Sequence, residues 1–178
     1  MQTPPSHARP RGRTYLMRQK LFACGDDYVI QNEEGQEAFL VDAKAFSIGK
    51  SLSFQDMGGT ELAVIRQKLL AWGPTYELYR DGDLYATIKK KLFTFFNCRF
   101  MVDVPGPRDL EAEGGLADHE YVFRRMQPGG AKREVARVSK AWFSVSDTYG
   151  VTVDAKEDDV LILASTVVID LACEQDHD

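Results

Sequence analysis

Apolar residues alternate with polar ones in short runs over most of this chain, then stop alternating between residues 160 and 173. The short runs are rich in Val, Ile, Tyr, Phe and Thr. Turn signals separate them at Asn32 to Gly35, Asp56 to Gly59, Gly73-Pro74, Asp81-Gly82, Pro105 to Pro107, Gly114-Gly115 and Pro128 to Gly130. A period of two between such signals predicts β-strands joined as a meander of hairpins. YRDGDLY carries the strongest single hairpin signal, an Asp-Gly pair between two apolar alternations.

Three of these runs resemble one another: ELAVIRQKLL from Glu61, LYATIKKKLF from Leu84 and EVARVSKAWF from Glu134. Aligned on Ala63, Ala86 and Ala136, each has an Ile or Val two residues on and a Leu or Trp six residues on. The separations are 23 and 50 residues, and Ala38 precedes Ala63 by 25, a spacing compatible with a recurring hairpin unit. Alternation assigns Ala63, Ile65 and Leu69, then Ala86, Ile88 and Leu92, then Ala136, Val138 and Trp142 to an inner face. Arg66, Lys68, Lys89 and Lys91 fall on the outer face. Lys90 and Lys140 fall on the inner parity, which predicts a place at a barrel rim or a bulge that turns them outward.

The terminal run, Val160 to Cys173, contains one charge, Asp170. It is too short for a membrane span, which needs about 20 apolar residues. As a helix of about 15 residues it measures roughly 22 Å. Such a helix has no polar face and must be buried on every side. Its β-branched content also fits a pair of buried strands, but no turn residue divides it. Glu157, Asp158 and Asp159 are expected to cap its first amides.

At 178 residues the chain is long enough for one self-supporting core, and its 44 % apolar and 28 % charged residues are ordinary for a globular protein. The first twenty residues carry Arg9, Arg11, Arg13, Arg18 and Lys20 with no acid, punctuated by Pro4, Pro5 and Pro10. Residues 1–13 are read as a disordered basic arm. They lack the apolar stretch of a secretory signal. Removing those five charges from a net charge of −5 leaves −10 for the remainder, a poor general binder of nucleic acid. Cys24, Cys98 and Cys173 have no metal or disulfide spacing, and His7, His119 and His177 form no ligand pair. No phosphate-loop, dinucleotide or nucleophile-elbow motif is present, so no metal and no cofactor is expected.

The stretch from Tyr15 through "GGTELAVIRQKL", then "YRDGDLYATIKKKLF", then "YGVTVDAKEDDVLILASTVVIDL", resembles the LURP-one-related family over residues 14–175. Its most specific pieces are D-x-x-G-x-x-L-A-x-I-x-x-K, here Asp56, Gly59, Leu62, Ala63, Ile65 and Lys68, and the closing YGVTVD with its helix. The resemblance implies the tubby C-terminal fold, which phospholipid scramblases share in outline. That fold is a closed antiparallel barrel of about twelve strands around a buried hydrophobic C-terminal helix, here at 158–173. It implies binding rather than catalysis, since tubby proteins hold phosphoinositide headgroups through basic residues on a barrel strand. TIKKK is the nearest local analogue.

The candidate site is therefore an outer basic stripe of Arg66, Lys68, Arg80, Lys89 and Lys91, expected to meet an anionic phospholipid headgroup or another phosphorylated ligand. The corresponding function is a non-enzymatic binding or scaffold protein, cytoplasmic and peripheral to the membrane. Two alternatives remain open at this level. One is an enzyme using a buried rim lysine, Lys90 or Lys140, with a depressed pKa. The other is a protein-partner module working through the arm or an edge strand.

Overall fold

The computed structural model describes residues 12–20, 27–42, 51–68, 71, 73–91, 99–106, 108–115, 120–140 and 148–174. Twelve strands come first: β1 Gly12–Lys20, β2 Asp27–Gln31, β3 Glu37–Asp42, β4 Ser51–Asp56, β5 Glu61–Gln67, β6 Thr75–Arg80, β7 Asp83–Lys91, β8 Arg99–Asp103, β9 Leu110–Gly115, β10 Glu120–Met126, β11 Lys132–Ser139 and β12 Thr148–Asp154. One helix follows, α1, Asp159–Glu174. Each strand pairs antiparallel with its neighbours in sequence, and β1 closes the sheet on β12 from Gly12↔Asp154 to Arg18↔Thr148. Closure leaves no strand edge. Gly12 and Arg13, read from the sequence as the end of the arm, are part of this seam.

The helix fills the lumen. Ile162, Leu163, Ala164, Val167 and Val168 are fully buried, against inner-face residues such as Met17, Ile30, Phe54, Leu78, Ile88, Phe100 and Phe123. Six β-branched residues between 160 and 169 favour strand over helix. Burial on all sides outweighs that preference, as it does wherever tertiary packing supplies most of a helix's stability. The hydroxyl of Thr166 donates back to the Ile162 carbonyl at 2.9 Å, satisfying it inside the apolar lumen. Asp170, the one charge in the run, is buried and accepts hydrogen bonds from Tyr28 Oη at 3.1 Å and Tyr149 Oη at 3.4 Å. Burial and then the Asp170 charge push the Tyr149 phenol well above its ordinary pKa.

The inner-face assignment holds at Ala63, Ile65, Ala86, Ile88, Ala136 and Val138, all buried. Leu69, Leu92 and Trp142 lie outside the described residues, as do Cys24, Cys98 and the three histidines. Asp81 and Gly82 both have positive φ, 50° and 86°, the type I′ turn that an Asp-Gly pair supports. The similar runs share one structural feature. The register shifts at Phe54/Gln55, Leu78/Tyr79 and Phe123/Arg124, so that Leu62, Tyr85 and Val135 are the extra residues, each just before its aligned Ala. Ala38 plays that part opposite Ile30/Gln31. The recurring unit is a hairpin with a bulge at one place in its second strand.

These four hairpins, the β8–β9 loop and the loop before α1 lie at one end of the barrel, because strands alternate in direction. The bulges bend that rim and break the period of two. Leu84, inward by strict alternation with Ala86 and Ile88, is 48 % exposed, whereas Tyr85 turns toward the helix start.

Candidate functional site

Three outer lysines pair with carboxylates across the sheet, Lys68 and Lys89 with the next strand and Lys91 with a residue two strands away. Lys68 Nζ meets Glu77 at 3.0 Å, Lys89 Nζ meets Asp103 at 2.8 Å, and Lys91 Nζ lies 3.7 Å from Glu111. The Arg66 guanidinium sits 4.8 Å from the centroid of the Tyr79 ring. The belt continues past β7. Glu111 also takes Lys132 at 2.5 Å, and Glu113 takes Arg99 and Arg124. Glu111 is nearly buried; burial raises its pKa, and the Lys132 hydrogen bond leads the interactions that hold it below its ordinary value all the same. The belt is therefore largely paired internally, cation to carboxylate, across β5 to β11.

Arg80 does not share this belt. It stands at the end of β6, on the inward parity of Tyr76 and Leu78, and its Nη1 and Nη2 grip Asp158 at 2.6 and 2.7 Å. Tyr85 Oη donates to the same carboxylate at 2.9 Å, and the Leu161 amide donates to it at 3.1 Å as the cap of α1. Burial works against both charges of the pair. The hydrogen bonds between them prevail, leaving the Asp158 carboxyl below its usual range and the Arg80 guanidinium above its own.

Three more arginines repeat the pattern. Arg13 of β1 binds Asp159 at 2.7 Å and the carbonyls of Ala155 and Glu157 at 3.2 and 3.0 Å. Arg133 of β11 binds Asp154 at 3.0 Å and Glu157 at 2.8 Å, and Arg125 of β10 holds the other oxygen of Glu157. Tyr15, near Asp159, is pushed up to about 12 by burial and then by that charge. Four strands thus clasp the acidic segment 154–159 and seat the helix. Sequence reading named Glu157, Asp158 and Asp159 as helix caps but missed their arginine partners. The one available signal was an Arg on the inward parity at a strand end.

Beside the clasp is a cleft of about 290 Å³ lined by Tyr85, Val104, Arg108, Arg125, Arg133, Lys156, Glu157, Asp158 and Leu161. Glu157 and Asp158 are already engaged by arginines. Among the described residues, neither Arg108 nor Lys156 has a carboxylate within ion-pair distance; Arg108 folds onto the Pro105 carbonyl at 3.1 and 3.2 Å. The Arg108 charge still acts on the Tyr85 phenol, offsetting part of the rise that burial and Asp158 produce there. Four lining cations against two lining carboxylates leave two positive charges in surplus. Lys90 and Lys140 are half-buried and lie at the opposite end of the barrel, away from this cleft.

The profile of the LURP-one-related family matches residues 13–170. The chain belongs to that family. The uncharacterised protein YxjI of Bacillus subtilis (strain 168) is 32 % identical over 163 residues, covering 92 % of this chain and 95 % of that protein. A solved structure of a protein from Arabidopsis thaliana superposes with a TM-score of 0.64 at 18 % identity, over 90 % of this chain and 92 % of that one. At that identity the plant protein shows the fold alone, and the family's barrel-and-helix architecture is the one described above. Among the described residues, no helix is long and apolar enough to cross a membrane.

Proposed function

We propose that this chain is a non-enzymatic binding protein for a phosphorylated ligand, held at the rim cleft. The observation that carries this reading is the surplus of two cations there, with Arg108 and Lys156 free of carboxylate partners among the described residues. The two carboxylates of the lining are committed to guanidiniums and are not available as bases. A phosphomonoester carries about −1.5 to −2 charge near pH 7, which matches the surplus. The helix dipole adds little, because Asp158 already caps it.

The experiment is titration with methyl phosphate at two salt concentrations, for the wild type and for Arg108→Ala combined with Lys156→Ala. Saturable binding that weakens with salt and falls at least tenfold in the double variant supports the reading. Binding that ignores both cations refutes it.

The exposure of the lysines on the outer belt favours a second reading, in which Arg66, Lys68, Lys89 and Lys91 draw the barrel to an anionic surface. Each exposed cation near such a surface contributes about 1 kcal/mol. Charge reversal at Lys89 and Lys91 is expected to abolish binding to anionic vesicles with the fold intact; unchanged binding removes this role.

A further inference from the structure

The β7–β8 ladder stops at Thr87↔Asp103. Beyond it the Tyr85 bulge carries β7 aside, and the Val104 amide turns away to donate to Asp109 at 3.0 Å. The strands splay. Between them opens a groove of about 270 Å³ lined by Leu84, Tyr85, Ala86, Thr87, Asp103, Val104 and Pro105. Its one charged residue, Asp103, is paired with Lys89 at 2.8 Å. Leu84, one of two large exposed hydrophobic residues described in the chain, is on its wall.

This groove and the cationic cleft share Tyr85 and Val104. The apolar groove therefore adjoins a cleft in which Arg108 and Lys156 have no carboxylate within ion-pair distance among the described residues. We infer that the joint site takes a single-chain alkyl phosphate monoester, its head at Arg108 and Lys156 and the start of its chain along Leu84, Val104 and Pro105. The inference rests on the reading above that the cleft holds a phosphate. The charge balance selects the head: a phosphomonoester approaches two negative charges near neutral pH, whereas a fatty-acid carboxylate brings one. The exposed Leu84 selects the tail, since a bulge that turns a strand Leu out of the core leaves apolar surface that only an apolar partner would remove from water. A free phosphate or sugar phosphate would leave it uncovered.

The test is calorimetric titration of the full chain with methyl phosphate, decyl phosphate, decanoate and the uncharged decyl maltoside, each amphiphile below its critical micelle concentration. Decyl phosphate is expected to bind at least tenfold more tightly than methyl phosphate, which burial of about two methylenes already supplies. Leu84→Ser, which adds no charge beside the cations, should bring decyl phosphate back to the methyl phosphate affinity. Arg108→Ala with Lys156→Ala should weaken both phosphates. Decanoate should bind at least tenfold more weakly than decyl phosphate, and the maltoside should not saturate.

Equal affinity for the two phosphates, both lost in the double cation variant, overturns the tail and leaves the phosphate site standing. Failure of both phosphates to bind overturns the site itself. Decyl phosphate binding that survives Leu84→Ser and the double cation variant alike is adsorption elsewhere and overturns the inference. Leu84 and the two cations are exposed at hairpins and loops, and thermal unfolding of each variant verifies its fold.

Discussion

Breaking the Arg80–Asp158 pair tests whether the rim clasp holds the helix in the barrel. Both side chains are about one-quarter exposed, 25 % and 29 %, and the contact is bidentate at 2.6 and 2.7 Å. Exposed ion pairs are worth about 0.2–1 kcal/mol, and removing one partner of a buried pair costs about 3–5 kcal/mol. This pair stands between. When Arg80 is lost, Asp158 keeps the Tyr85 hydroxyl and the Leu161 amide, which lowers the cost. Arg80→Met is therefore expected to destabilise by about 2 kcal/mol, or about 4–8 °C in Tm for a chain of this length. Asp158→Asn should cost less, because the amide oxygen still caps the helix and the Arg80 guanidinium keeps its stack on Tyr85 at 4.2 Å. The assay is urea unfolding of both single variants and the double variant, with hydrogen exchange at Leu161 and Ile162 as the local readout. Coupling of about 1 kcal/mol or more, with faster exchange at the helix start, is the expected result. Additive losses within about 0.3 kcal/mol would refute the clasp as an energetic unit.

Other consequences are separable. The Asp158 carboxyl is depressed in the folded state, so its contribution is fully present above the unfolded value of about 4 and is lost as pH falls through the lower folded value. Unfolding curves between pH 6 and pH 2 should show this loss in the wild type, and Asp158→Asn should flatten that part of the profile; identical slopes would contradict it. Ser165 is fully buried on α1 and its hydroxyl has no hydrogen-bond partner among the described residues. Ser165→Ala should thus stabilise by about 1 kcal/mol, and a lower Tm would show that the hydroxyl has a role in the lumen. Leu163→Ala opens a cavity at the centre of the barrel and should cost about 2–5 kcal/mol; a loss below about 1 kcal/mol in calorimetry would argue against a tightly packed helix.

The sequence alone determined the class of fold. Thirteen apolar or small neutral positions around Asp170, with no turn residue from Val160 to Cys173, have no polar face to offer water, and the strands before them alternate and turn too often to be helices. Asp81-Gly82 was equally plain, because two positive φ angles in a row restrict the residues that fit. The similarity around Ala63, Ala86 and Ala136 announced a recurring hairpin. The bulge inside that hairpin was not legible, since an extra residue in one strand is defined by its partner's register, and it reverses the faces of Leu84 and Tyr85. Only the closed barrel decided the site. Arg13 is 146 residues from Asp159, and Arg80 is 78 from Asp158. Charges that far apart become partners only when the β1–β12 seam and the central helix bring one rim together. The same closure spends most of the rim's positive charge on the helix and leaves the remainder, Arg108 and Lys156, beside an open groove.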